Sequence, residues 1–241
     1  MLDWLTTVDH KKIGVLYIVH SFLFFFAAGI LALVMRSELA VPGLQFLDER
    51  TYNQAFTMHG TIMIFLFVVP ILSGFANYIV PLQIGAPDMA FPRINALSFW
   101  FLPLGGLLIF SGYLFGGAAA EGWTLYTPLS GGTYSTGVGT DLWLIGLLLV
   151  GTASILGAVN FIATIFKMRA PGMTLFRMPI LVWTVLVTAT LILLATPVLG
   201  AGMVALCIDS TYGGSVRDAN TGGQQSRGQH LPRVTGHARD H

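Results

Sequence analysis

Five long apolar stretches constrain this sequence more than any other feature. They cover residues 13–35, 56–81, 94–116, 142–166 and 180–206. Each is long enough for a transmembrane helix, which needs about 20 mostly apolar residues. Only 10% of the residues are charged, whereas a soluble domain carries roughly a quarter. The sequence therefore predicts an all-α membrane protein with five transmembrane helices, followed by an irregular C-terminal tail.

The basic residues predict the orientation of these helices. If the N-terminus is inside, the inner segments hold Lys11, Lys12, Arg93, Lys167, Arg169 and Arg177. The outer segments hold only Arg36 and Arg50, and the long loop 117–141 holds no Lys or Arg. Because short loops rich in Lys and Arg stay on the cytoplasmic side, we expect the N-terminus inside. A cleavable signal peptide is not expected, since the polar start precedes an apolar run long enough to span.

Residues 213–241 differ in character from everything before them. This tail is rich in Gly, Arg, Gln and His and has few apolar residues. Such a composition is typical of disorder, and it excludes a sixth membrane span. The predicted organisation is thus a membrane unit over 1–212 and a hydrophilic, divergent tail over 213–241.

His59 stands out because the stretch TMHGTIMIF places an imidazole inside an apolar run. At 1.5 Å of rise per residue, we expect His59 within about 5 Å of the outer boundary and His20 roughly 15 Å deeper. Imidazole ligands lie about 2 Å from a metal, so these two histidines cannot share one. Two interpretations of His59 remain open at this point: a metal ligand, or a neutral histidine bonded to a neighbouring helix. For His20, a structural role is the better interpretation.

A second polar group is predicted near the inner side of the membrane. It consists of hydrogen-bonding residues at rising depth, starting from a carboxylate in a short loop: Asp88, Asn77, Asn95, Tyr17, Asn160 and Ser154. A water-filled proton entrance requires such an arrangement. The alternative is that the loop residues only form turns and helix caps, a common role for Asp and Asn.

Several motifs together resemble a known family. They are YNQAFTMHGTIMIF, GFANYIVPLQIGAPDMAFPRINALSFW, GWTLYTPLS, SILGAVNFIATI and PVLGAGMVAL. These segments are similar to the catalytic subunit I of haem–copper oxidases of the cytochrome c oxidase type, and the likeness covers nearly all of residues 1–212. The segment GAPDMAFPR is similar to bacterial members that take up protons through a channel beginning at an aspartate.

The resemblance implies roles for residues on the outer side. His59 would be one of two axial ligands of the low-spin haem, with the second ligand on a later helix. Arg36 matches an arginine that hydrogen-bonds a haem substituent, and Trp123 matches a tryptophan near the haem propionates and copper. Glu38 and Gly43 match positions that hold a calcium or sodium ion in some members, since carboxylate and carbonyl oxygens suit such cations.

The resemblance also implies that the inner polar group is the proton channel. Asp88 would be its entrance, and the lining would come from Asn77, Asn95, Tyr17, Ser154 and Asn160. The family often has a second Asn and a second Ser where this sequence has Ala96 and Ala153, which makes the channel less polar.

The resemblance breaks down in the tail, which ends QHLPRVTGHARDH. Alignment places His237 on a copper-ligand position. The other copper histidines, the ligand of the oxygen-binding haem and the second ligand of the low-spin haem are absent. We therefore expect an N-terminal part of the subunit that is inactive when alone. The sequence leaves open whether the tail is genuine or a sequencing or frame artefact.

The parent function implied is electron transfer from cytochrome c through haem and copper to dioxygen, with proton pumping. The expected partners are oxidase subunits II and III, cytochrome c and membrane lipid, with quinol as an alternative donor and no nucleic acid. The expected location is the bacterial cytoplasmic membrane. Two alternatives stay open: a small b-type haem protein in which His59 binds haem in a dimer, and a cofactor-free transporter fragment. The haem type stays open as well.

Overall fold

The computed structural model describes residues 2–126, 129 and 137–212. The described residues form helices and loops with no strands. Their order is α1 (Leu2–Leu5), α2 (His10–Glu38), α3 (Glu49–Thr61), a π-helical segment (Ile62–Val68), α4 (Val69–Ile84), α5 (Pro92–Ser111), α6 (Val138–Lys167) and α7 (Ile180–Tyr212). Short 3₁₀ turns cover Gly112–Leu114 and Leu175–Arg177. The tail 213–241, with His237, lies outside the described residues.

The structure confirms the prediction of an all-α membrane protein. It holds five helices long and apolar enough to cross a membrane among the described residues, and one of them is Glu49–Ile84, which joins α3, the π-helical segment and α4. This helix starts seven residues before the predicted span at 56, because Asp48 caps it by accepting a hydrogen bond from the Thr51 N–H at 3.0 Å. Polar residues can thus extend a membrane helix beyond its apolar run.

The third span shows the opposite deviation, since its helix ends before the predicted limit at residue 116. The 3₁₀ turn closes at Leu114, and Gly116 and Gly117 have φ of +98° and +131°. These left-handed values suit glycine and end the helix. Apolar composition alone does not reveal such a stop.

Pro70 explains the π-helical segment inside the second span. Proline has no N–H, so Pro70 cannot bond the Leu66 carbonyl one turn before it. The chain widens instead, and the Val69 N–H bonds the Ile64 carbonyl five residues back. Pro103, by contrast, is accommodated within α5 without a change of helix type.

Glycines bring the helices close together. A Cβ at Gly146 of α6 would lie 2.7 Å from the Gly105 carbonyl oxygen of α5. A Cβ at Gly14 of α2 would lie 2.9 Å from the Gly74 carbonyl oxygen of α4. Small residues let membrane helices approach in this way, and packing replaces the hydrophobic drive that lipid cannot supply.

Connections at one end of the bundle tie the helix ends together. The Trp100 indole N–H donates to the Leu5 carbonyl at 3.2 Å, and the Ala170 N–H donates to the Ile84 carbonyl at 2.8 Å. The start of α2 and the ends of α4 and α6 therefore share one side with the starts of α5 and α7. This is the side that carries the predicted inner residues.

Candidate functional site

His59 lies in the last turn of α3, and its ring is half-buried. Its Nδ1 donates a hydrogen bond to the Ala28 carbonyl oxygen of α2 at 2.9 Å. A carbonyl oxygen only accepts, so Nδ1 carries the proton and the neutral ring keeps a lone pair on Nε2. Nε2 has no hydrogen-bond partner among the described residues. Metal-binding histidines use the two nitrogens in this way, so the bond to a neighbouring helix is compatible with a ligand role.

Trp123 packs against the helix that carries this histidine. A Cβ on Gly60, the next residue in α3, would meet the indole Cδ1 at 3.2 Å. The indole also packs edge-on against Phe65, with ring centroids 6.1 Å apart. The loop carrying Trp123 is held to α3, since the Gly122 N–H donates to the Thr57 hydroxyl at 2.8 Å. The structure therefore packs Trp123 against Gly60, the residue that follows His59.

Two residues that the sequence did not single out lock α6 onto α3 near this point. The Trp143 indole N–H donates to the Thr61 hydroxyl at 3.0 Å, and this tryptophan is 2% exposed. The Thr61 hydroxyl in turn donates to the Thr57 carbonyl at 2.8 Å. A signal was available, because Gln54, Thr57 and Thr61 recur at helical spacing and mark a polar stripe facing protein rather than lipid.

Arg36 lies in the last turn of α2 and is exposed. It is eight residues past Ala28, which places it about 12 Å further along the helix axis. Within the described part of the chain, its guanidinium makes no hydrogen bond or ion pair. It is therefore free to donate to an acceptor above His59.

Glu38 and Gly43 do come together, but their oxygens serve the outer loop. The Glu38 carboxylate accepts backbone N–H bonds from Gln45 at 2.6 Å and from Phe46 and Leu47 at 3.0 Å. The Gly43 carbonyl accepts a bond from the Gln45 side chain at 3.3 Å. These three oxygen atoms are far fewer than the six to eight that Ca²⁺ takes, so the calcium or sodium site stays a prediction.

His20 is held within its own helix. Its Nδ1 donates to the Leu16 carbonyl at 2.9 Å, and its ring meets Phe99 edge-on at 5.0 Å. His20 is eight residues from Ala28, the partner of His59, so the two histidines differ in depth by about 12 Å. That separation agrees with the expectation that they cannot share a metal.

The inner polar residues divide into two sets. Tyr17, Asn77 and Ser154 line a cavity of about 490 Å³ between α2, α4, α6 and α7. Ser73 and two threonines of α7 also line it. The other three, Asp88, Asn95 and Asn160, do not line this cavity. The cavity is mostly apolar, and its polar atoms come from these few side chains.

Asn77 and Asn95 carry buried amide atoms without partners. The Asn77 Oδ1 and both amide atoms of Asn95 lack a hydrogen bond, although these residues are 2% and 1% exposed. Asn95 lies beside a polar chain in which the Tyr17 and Ser98 hydroxyls are 3.0 Å apart and Ser98 donates to the Asn95 carbonyl at 2.8 Å. Buried polar groups are rarely left unpaired, so these atoms are places for ordered water.

His10 also belongs to this inner region, although the sequence gave it no role. It is 2% exposed, and its Nδ1 donates to the Asn77 carbonyl at 2.9 Å. It lies one residue after Asp9, which caps α2.

The metal-binding potential of the described residues is limited. They contain no group of three or more His, Cys, Asp or Glu side chains placed to hold a metal ion. His237 lies outside the described residues, so its predicted copper-ligand role stays a prediction. Among the predicted metal ligands that the structure describes, His59 has a ring nitrogen, Nε2, without a hydrogen-bond partner in the described residues.

Comparison with known proteins gives the family. The family described as cytochrome C and quinol oxidase polypeptide I matches residues 12–239. A probable cytochrome c oxidase subunit 1-alpha from Streptomyces avermitilis is 55% identical over 224 residues, which is 92% of this chain and 39% of the relative. A probable subunit 1-beta from Nocardia farcinica is 55% identical over 219 residues, covering 90% of this chain and 37% of the relative.

A third relative extends the same pattern. The cytochrome c oxidase subunit 1 of Corynebacterium efficiens is 51% identical over 223 residues, covering 91% of this chain and 38% of its own length. The chain thus spans about two fifths of the length of these relatives. With these matches and five membrane-spanning helices, the chain belongs to the family of cytochrome c and quinol oxidase polypeptide I.

Proposed function

We propose that His59 would hold a haem iron and that the inner polar residues form the start of the proton channel in a cytochrome c oxidase. The observation that carries this proposal is the His59 ring, whose Nδ1 bonds Ala28 and whose Nε2 is left free. The parent reaction is electron transfer from cytochrome c to dioxygen with proton pumping. Oxidase subunits II and III, cytochrome c and lipid are the proposed partners, and quinol is an alternative donor.

The donor chemistry of His59 fits a haem iron. A neutral imidazole nitrogen is an ordinary haem ligand, and a haem held in this way takes up and passes on one electron at a time. The Ala28 carbonyl fixes the tautomer and orientation of the ring and raises its basicity. Arg36, with a free planar guanidinium, is suited to donate to a haem substituent on the outer side, and Trp123 packs against Gly60, the residue after His59.

The described residues do not provide a copper site, since no three-ligand group is present among them. We therefore derive no step at copper or at the oxygen-binding haem.

On the inner side, we propose that Asp88 draws protons from the aqueous phase. Its carboxylate is half-buried in the loop between α4 and α5, and its negative charge raises the local proton concentration. The unpaired amide atoms of Asn77 and Asn95 would hold water on the way to the cavity lined by Ser154. The two alanines at Ala96 and Ala153 leave fewer water-binding groups than the family often has.

The proposed location is the bacterial cytoplasmic membrane with the N-terminus inside. Lys11, Lys12, Arg93 and the basic residues of the α6–α7 loop support this orientation, because all lie at the bundle end where the helix ends are tied together.

An absorption spectrum tests the haem proposal. The full chain, purified in detergent after expression with haem available, should give a Soret band that His59→Ala abolishes. The matched control is His20→Ala, which removes a histidine of α2 bonded within its own helix and should keep the band. Equal loss in both variants, or absence of haem in every preparation, would contradict the assignment.

Proton uptake tests the role of Asp88. In a full-length oxidase carrying residues 1–212 of this chain, Asp88→Asn keeps the size of the side chain and removes its charge. We expect slower proton uptake from the inner side in reconstituted vesicles. The control is Asp3→Asn, which alters an exposed inner carboxylate outside the proposed path. Unchanged turnover and pumping in Asp88→Asn would overturn the assignment.

A further inference from the structure

We propose that Asn160 and Thr164 of α6 are positioning residues that clamp the backbone of the inner loop and thereby hold Asp88 in place. Both side chains are 0% exposed, and neither lines the inner cavity. The proposal rests on the proposed role of Asp88 as the proton entrance. It differs from a channel-lining role for Asn160, because the amide bonds the loop backbone.

Asn160 makes a two-point contact with one residue of the loop. Its Oδ1 accepts the Phe91 N–H at 2.9 Å, and its Nδ2 donates to the Phe91 carbonyl at 3.2 Å. Phe91 caps the start of α5 and has no capping side chain of its own. The amide of α6 therefore pairs with both backbone groups of a residue 69 positions earlier. These two bonds use one N–H and one oxygen lone pair of the amide to hold the loop backbone.

Thr164, one turn after Asn160 in α6, binds the backbone of Ala90, the residue before Phe91. Its hydroxyl accepts the Ala90 N–H at 2.9 Å and donates to the Asn160 carbonyl at 2.7 Å. The single hydroxyl hydrogen is thus directed along α6, and the lone pair is directed at the loop. A side chain without a hydroxyl would leave a buried N–H unpaired, which is costly.

The clamp acts directly beside Asp88. Asp88 is two residues before Ala90, and Met89 between them is 1% exposed. At its other side, the loop begins at Gly85, which ends α4 with φ of +73°. The Ala86 N–H bonds the Pro81 carbonyl at 2.8 Å. The backbone N–H groups of Ala90 and Phe91 are therefore bonded to α6, while the Ala86 N–H is bonded to α4.

Hydrogen exchange tests the clamp in the full chain in detergent. Thr164→Val removes the hydroxyl and keeps the shape, so exchange of the Ala90 amide should accelerate about tenfold, as expected for loss of a buried bond. Thr164→Ser keeps the hydroxyl and should restore the slow rate. The Ala86 amide is the internal control, because its bond to α4 does not involve Thr164. Equal acceleration at Ala86 and Ala90 would show general destabilisation and overturn the proposal.

A second readout follows Asp88 itself. A water-soluble carbodiimide with an amine modifies accessible carboxylates, and the labelling rates of Asp88 and of the exposed Asp3 can be read by peptide mass. We expect Thr164→Val to change the rate at Asp88 and leave Asp3 unaltered, with Thr164→Ser behaving as the parent chain. If Ala90 exchanges faster while Asp88 labelling stays the same, the clamp does not position Asp88.

A second variant and the independence of both readouts from haem make the outcome interpretable. Thr164→Ala is measured in parallel, so that a folding failure of the valine variant does not end the experiment. Neither readout depends on haem or turnover. Failure of the clamp would leave the His59 and proton-uptake results untouched, and failure of the proton-uptake test would leave the exchange result interpretable.

Discussion

Substitution of Gly146 by alanine tests the close contact between α5 and α6. The added Cβ would lie 2.6 Å from Ile109 Cγ1 and 2.7 Å from the Gly105 carbonyl oxygen. Carbon atoms in good contact are about 3.5–4.0 Å apart, so a separation must grow by about 1 Å. The Ile109 side chain can turn aside, but the Gly105 oxygen is backbone, so the two helices have to move.

The magnitude follows from two opposing effects. Inserting a methyl group into a packed contact costs about 1–3 kcal/mol. Alanine is the better helix former by about 0.8–1.0 kcal/mol, which offsets part of that cost. Gly157→Ala is the matched control in the same helix, because nothing lies within 4 Å of its added Cβ. Gly157→Ala should therefore gain stability, and Gly146→Ala should be about 1–3 kcal/mol less stable than this control.

The assay is unfolding of the full chain in mixed micelles with rising SDS fraction, followed by far-ultraviolet circular dichroism. Gly105→Ala places a methyl group against the Gly146 carbonyl oxygen at 2.7 Å. The two substitutions address the same contact, so the double variant should lose less than the sum of the single losses. The reasoning is refuted if Gly146→Ala is as stable as Gly157→Ala.

Three further predictions concern capping, a buried bond and activity. The Thr51 hydroxyl and N–H hold the pKa of Asp48 below its usual value, so its stabilisation is present above about pH 4 and is lost as pH falls further. Asp48→Ala should lower the thermal midpoint at pH 7 and matter less below pH 4. Trp143→Phe removes the buried bond to Thr61 and should cost about 1–3 kcal/mol in the SDS assay, whereas Trp100→Phe, at an exposed bond, should cost less. The full chain alone, in a host lacking oxidases, should show no cyanide-sensitive oxygen consumption above the empty vector.

Much of the fold was predictable because a helix buried in lipid requires a long apolar run in the sequence. Every backbone polar group in a bilayer must be paired within the chain, so a long apolar run has to be a helix. The runs at 13–35 and 142–166 lie within α2 and α6, and the family follows from the motifs around His59 and Asp88. Helix ends were less predictable, since the cap at Asp48 and the glycine stop at Gly116 depend on single backbone bonds and angles.

The sequence by itself determined the fold class, the number of spans and the residue types available for chemistry, because these depend on composition and local order. Only the tertiary structure decided which atoms those residues leave free. His59 keeps Nε2 because the Ala28 carbonyl of another helix takes Nδ1. Asn160 directs its amide at the inner loop, because the Phe91 backbone bonds both its Oδ1 and its Nδ2. In the sequence both are polar residues in apolar helices, and the difference arises from contacts between segments 31 and 69 residues apart, which no local pattern encodes.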